Sequence, residues 1–135
     1  EDEKINKIFH FARFDVAVLK HFLKANVKNI YCTKVASKIA RTYTDKHGLK
    51  DLVKEIIGVD MSKQMQSSDW GAKKLSDKQL KYAASDCIYL HQIKSELNKM
   101  LVRENRMPLL EKCLRFIETR VELDLANYKH DIFSH

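Results

Sequence analysis

Two carboxylates in this sequence stand where chemistry could be done. Asp86 lies in YAASDCIYL, within a long helical pattern whose apolar side carries Ala83, Cys87 and Leu90. An Asp among small apolar residues in mid-helix needs a partner, because a buried unpaired charge is costly. Tyr82 precedes it by one helical turn, so phenol and carboxylate share a helix face. Such a pair can bind a metal and orient a water, and Ala83 and Ala84 let a ligand come close. The plain alternative is a Tyr–Asp surface pair. Asp15 lies in HFARFD, where a strand hands over to a helix. A first-turn Asp is favourable to the helix dipole, and from these residues alone that structural role is sufficient. His10, close by, reads as a maker of structural hydrogen bonds. Trp70 would either stack on a base or plug the core. The six histidines show no metal-ligand spacing. The phosphate-cradling G-x-x-x-x-G-K-S/T loop, the G-x-S-x-G elbow and the G-x-G-x-x-G turn are all absent, so those chemistries have no support here.

The elements that must position these residues follow from periodicity. Lys7–His10 reads as a strand running into a turn. From Phe14 the pattern turns helical, and Phe14, Val18, Leu19, Phe22 and Leu23 make a wide apolar face expected to be buried. Asn29–Cys32 reads as a second strand. Val35, Ala36, Ile39, Ala40 and Tyr43 mark another helix, with Lys34, Lys38 and Arg41 on its other faces. His47-Gly48 breaks it. Leu49, Leu52, Val53, Ile56 and Ile57 form a further helix that Gly58 stops. Val59 to Lys74 is polar and irregular, a long loop of the kind that often carries function. Ser76 and Gln79 form a capping box for a helix reaching about Arg103. Pro108 opens the last helix, with Leu110, Cys113, Leu114, Ile117 and Val121 on one face. The order strand, helix, strand, four helices describes an α/β domain with more helix than two strands can cover. No internal repeat or low-complexity segment interrupts it.

Composition bounds the function. The 135 residues suffice for one domain, and 44% hydrophobic content predicts a packed core. Only three Gly and one Pro argue for long regular elements. The formal charge of +7 favours a polyanionic partner such as nucleic acid. Cys32, Cys87 and Cys113 are odd in number and not spaced as C-x-x-C. That disfavours disulfides and zinc, predicts three buried thiols and fits a cytoplasmic location. No apolar run is long enough to span a bilayer. The first residue is Glu1, not Met, so a truncated chain is expected.

Four segments together carry a resemblance: KIFHFARFD, GLKDLV, the K-x-x-Q-x-S-D-W segment (Lys63, Gln66, Ser68, Asp69, Trp70) and YAASD. In this order they resemble the ribonuclease D branch of the DEDD 3′–5′ exonucleases, in its tyrosine-containing form, from about Lys7 to Leu101. The tail beyond about residue 104, including TRVELDLANYKHDIFSH, resembles short bacterial proteins that contain only the exonuclease domain. The resemblance implies one exonuclease domain over residues 1–135 with a ribonuclease H-like α/β fold, here mostly helical. It implies two-metal-ion hydrolysis at the 3′ end of single-stranded RNA, with DNA a second substrate class. Two Mg²⁺ or Mn²⁺ ions would be the cofactors. By motif, Asp15 and Asp86 would be metal ligands and catalytic, Tyr82 would orient the attacking water, and His10, Lys63, Gln66 and Trp70 would bind substrate.

One departure is large. The family's first motif, a D-x-E on an upstream strand, has no counterpart in EDEKIN, and nine residues precede His10. The expectation is an N-terminally truncated domain lacking its first strands, with weakened or lost activity. Its open sheet edge would then receive a separate N-terminal fragment or a second copy. The alternatives are a non-catalytic nucleic-acid-binding remnant and a functionless product stabilised by self-association.

Overall fold

The structure, a computed structural model, describes residues 2–60, 77–128 and 131–134, with the backbone alone for 77–87. Its centre is a βαβ unit. Strand β1 (Lys7–Phe9) pairs in parallel with β2 (Ile30–Cys32), in the register Lys7–Ile30, Ile8–Tyr31, Phe9–Cys32. A parallel pair needs a crossover, and helix α1 (Ala12–Leu23) supplies it. Lys24, in the left-handed region at φ 56°, caps α1 and donates its N–H to Leu19 O. Asn29 adopts the same region at φ 56° just before β2, a conformation Asn tolerates better than most side chains. Among the described residues β1 pairs with β2 alone.

Alternation along β2 divides the core in two, because successive strand side chains point to opposite faces. Ile30 and Cys32 pack with Ala12, Val16 and Val27 and with Ile117 and Val121 of helix α5 (Met107–Leu125). Tyr31 points the other way, into Ala36 and Ala40 of helix α2 (Thr33–Ala40), Leu52, Val53, and Ile93, Leu97 and Leu101 of helix α4 (Asp77–Arg103). Its hydroxyl and the Asn98 Oδ1 lie 2.7 Å apart. Leu52 closes the short helix α3 (Leu49–Leu52), which runs directly into a π-helical turn, Val53–Ile57. Gly58, at φ 83°, ends that turn as its left-handed cap.

Three expectations need correction. The apolar face expected to bury α1 does not do so: Phe14 is 60% exposed and Phe22 73%, with Val18 and Leu23 also exposed. The helix docks through its small residues, Ala12 and Val16, which let it approach β2 and α5 closely. A two-stranded sheet offers no surface for the wider face. Tyr43 lies outside α2, which ends at Ala40, and is exposed. Cys113 is exposed, whereas Cys32 is buried as expected. The helix from Leu49 and its Gly58 stop match the expectation except that its second half is π-helical. The ends of α4 and α5, at Arg103 and Met107, also fall close to the expected positions. Ser76 and most of the expected loop lie outside the described residues.

Charged pairs tie the ends of the chain together. Arg13 Nε and Nη2 donate to the two oxygens of Asp124, at 2.7 and 2.6 Å, fastening α1 to α5. Lys20 and Lys28 meet Glu122 and Glu118 of the same helix. Among the described residues no helix is long and apolar enough to cross a membrane.

Candidate functional site

The carboxyl end of β1 carries the residues singled out first. His10 directly follows the strand and Asp15 sits in the opening turn of α1, donating its own N–H to Phe11 O. In open α/β sheets, the ends of parallel strands are where ligands collect. Cys32 seals the junction from beneath. Its Sγ lies 3.5 Å from the Ala12 N–H and donates to His10 O at 3.2 Å.

Asp15 is half-buried, and among the described residues its carboxylate meets no cation and accepts no hydrogen bond. Burial pushes its pKa above the ordinary carboxylate value, because the charged form is the one desolvation penalises. A hard divalent cation is the partner this oxygen donor suits. The donor set is therefore of the right kind. Among the described residues no group of three or more His, Cys, Asp or Glu side chains could hold a metal by itself.

His10 is held in place by neighbours that sequence reasoning did not single out. Its Nδ1 lies 2.9 Å from Thr33 Oγ1, which donates to Phe9 O at 3.3 Å. Burial, and then the Lys34 ammonium, lower the His10 pKa from 6.5 to about 4, against a hydrogen bond to the His47 backbone that works the other way. The ring is therefore neutral at pH 7. Behind it, Ser37 Oγ and His47 Nδ1 are 2.7 Å apart. Arg41, only 1% exposed, donates to Ser37 Oγ at 3.1 Å and Lys46 O at 2.9 Å, and pairs with Glu55 of the π-helical turn. This network braces the segment from His10 to Glu55. The available signal was Ser37 four residues before Arg41, a pair on one helix face.

Tyr82 and Asp86 lie within α4, on backbone that is described, but their side chains are outside the described residues. Asp86 stands one turn before Leu90, a residue that shares a small cleft with Ile8 of β1 and Asn6. Further along, Lys94 bonds to Asn6. The helix thus crosses β1 just after its Asp86 turn. Lys63, Gln66 and Trp70 are outside the described residues.

The sequence profile of a family described as 3′-5′ exonuclease matches residues 1–102. The chain belongs to this family. Among the curated relatives of this exonuclease domain is ribonuclease D of Gluconacetobacter diazotrophicus, 32% identical over 107 residues, which are 79% of this chain and 27% of that protein. Among solved structures, Brucella melitensis NrnC superposes with a TM-score of 0.91 at 51% identity, over all of this chain and 66% of that one. Escherichia coli RNase D, described as an exoribonuclease involved in structured RNA processing, gives 0.78 at 25% identity over 90% of this chain and 32% of its own. The exonuclease domain thus has the DEDD exonuclease, ribonuclease H-like fold, mostly helical with a small parallel sheet. The chain spans about a third or less of the first curated relatives and about two thirds of the Brucella protein. That Brucella protein has also been solved with bound Mg²⁺ and bound to pGG.

Proposed function

We propose that the chain hydrolyses single-stranded RNA from the 3′ end with divalent metal. The observation that carries this is the Asp15 carboxylate, half-buried without a cation among the described residues at the carboxyl end of β1, in a chain whose residues 1–102 match the 3′-5′ exonuclease family. Asp15 and Asp86 would hold the metal, two Mg²⁺ or Mn²⁺ ions by analogy with the two-metal nucleases. When bound, such ions lower the pKa of a water and neutralise charge on the leaving oxygen. Tyr82 would orient the attacking water. His10, neutral at pH 7, would offer a hydrogen bond to the strand and not a charge. Lys63, Gln66 and Trp70 would border the path of the strand. Mg²⁺ and pGG on the Brucella relative support the metal and the nucleotide class. With two motif carboxylates facing two doubly charged ions, slow turnover is expected of these residues alone.

The test is cleavage of 5′-labelled single-stranded RNA with Mg²⁺ or Mn²⁺, by this chain and its Asp86→Asn variant. A metal-dependent ladder shortening from the 3′ end, lost in the variant, is the expected result. Folded protein that gives no ladder with either metal overturns the reading.

A further inference from the structure

A cleft of about 610 Å³ opens between the start of α1, the exposed side of α2, α5 and the C-terminal segment 131–134. That is a ligand-sized volume, within the roughly 300–1,000 Å³ common for binding pockets. Its floor is apolar, made by Val35 and Ile117. Its rim is cationic. Lys34 and Lys38 stand one turn apart on α2, and among the described residues neither ammonium meets a carboxylate. Arg13 and Arg120, both paired with Asp124, also line it, and Asp131 is the one carboxylate among the described lining residues. Aromatic rings flank the opening. Phe133 is 66% exposed and leans on Phe116 at 5.8 Å between ring centres, while Phe11 carries the Lys34 ammonium over its face at 4.6 Å.

Two lysines alone would be an ordinary solvated face. Lysines one turn apart beside exposed rings, over an apolar floor, match what a single nucleic-acid strand requires: cations for phosphates and π-faces for unstacked bases. We propose that this cleft binds the body of a single-stranded nucleic acid, with phosphates on Lys34 and Lys38 and a base against Phe133. The cleft begins at Phe11, next to His10, and the Lys34 N–H donates to His10 O at 3.2 Å, which sets its edge beside the β1–α1 junction. The proposal rests on the exonuclease reading and extends it: the strand is gripped on its 5′ side, away from the end being trimmed. Both sugars satisfy this chemistry, since neither stacking nor phosphate contact needs a 2′-hydroxyl.

The experiment is fluorescence anisotropy of a short 5′-labelled single-stranded RNA, and of DNA of the same sequence, titrated with the whole chain in EDTA. Lys38 and Phe133 are both exposed, so Lys38→Gln and Phe133→Ala should fold, which circular dichroism checks. Lys38→Gln should flatten the log–log salt dependence of binding by about 0.7. Phe133→Ala should weaken binding by about tenfold with the salt slope unchanged. RNA and DNA should respond alike. Folded variants with unchanged affinity and slope, or no binding by the parent chain at low salt, would overturn the cleft. Because EDTA removes the metal, this result is separate from the cleavage assay: a metal-dependent ladder with indifferent variants sinks the cleft alone, and variant-sensitive binding without a ladder sinks the exonuclease reading alone.

Discussion

A half-buried carboxylate without a cation is a local cost that a ligand can offset, and Asp15 makes that measurable without any assay of activity. In EDTA at pH 7 its charge is desolvated with no partner among the described residues. Asp15→Asn should therefore leave stability unchanged or raise it by up to about 1 kcal/mol in urea denaturation. On adding Mg²⁺ the parent chain should gain stability by mass action and the variant should gain less. Equal gains would remove Asp15 from the metal site. His10 gives a pH signature. Its folded pKa of about 4 lies below the unfolded value near 6.5, so the unfolded state takes up the proton first. The stability due to neutral His10 is fully present above about pH 6.5 and is lost as pH falls toward 4. Between pH 7 and 5 the loss should be about 1–2 kcal/mol, allowing for the ring's partial exposure. His10→Gln should flatten that part of the stability–pH curve, and a variant with the parent's slope would show that another group titrates there.

The elements show which signals in a sequence are physical and which are borrowed. The strand at Lys7, the helix stop at Gly58 and the helix opened by Pro108 were legible because each depends on local backbone rules. Gly58 offers the cleanest check. A Cβ there would meet nothing within 4 Å, yet φ is +83°, so only backbone strain opposes substitution. Gly58→Ala should cost about 1 kcal/mol by chemical denaturation, and a neutral result would mean the turn relaxes. The burial of α1 was misread because periodicity reports an apolar face without saying what covers it. Ala12 and Val16, small and easily overlooked, make the contact in place of Phe14 and Phe22. Arg41 was expected on a face of the helix other than the apolar one, yet it is buried at the C-terminal cap of α2. Its burial depends on Ser37, the Lys46 carbonyl and Glu55 converging on it, which spacing along one helix does not reveal. At the candidate site, the junction of His10 and Asp15 was legible as strand meeting helix. The roles of Asp15, Tyr82 and Asp86 came from resemblance, since one carboxylate per motif carries no geometry by itself.

At the scale of the molecule, two hydrophobic clusters meet across β2, and α5 contributes to both, through Leu110 to one and Ile117 and Val121 to the other. The Arg13–Asp124 pair is the polar clasp of the second cluster. Arg13 holds the Asp124 carboxyl below the usual range, so its contribution is present above the unfolded-state pKa of an Asp and fades as pH drops through the lower folded value. Asp124→Ala should cost about 1–2 kcal/mol at pH 7 and much less in strongly acidic solution. A cost that does not change with pH would assign the effect to packing.

The clasp has a consequence for how the chain is made. Arg13 and Asp124 are 111 residues apart, and the cluster they close is built from the first and last helices. A ribosome releases the α1 segment long before α5 exists, so during synthesis the Ala12–Val16 stripe at first lacks the Ile117 and Val121 side chains it packs with. Helix α1 is thus made well before the helix that completes its cluster, and the Arg13–Asp124 clasp can close only once α5 has been made.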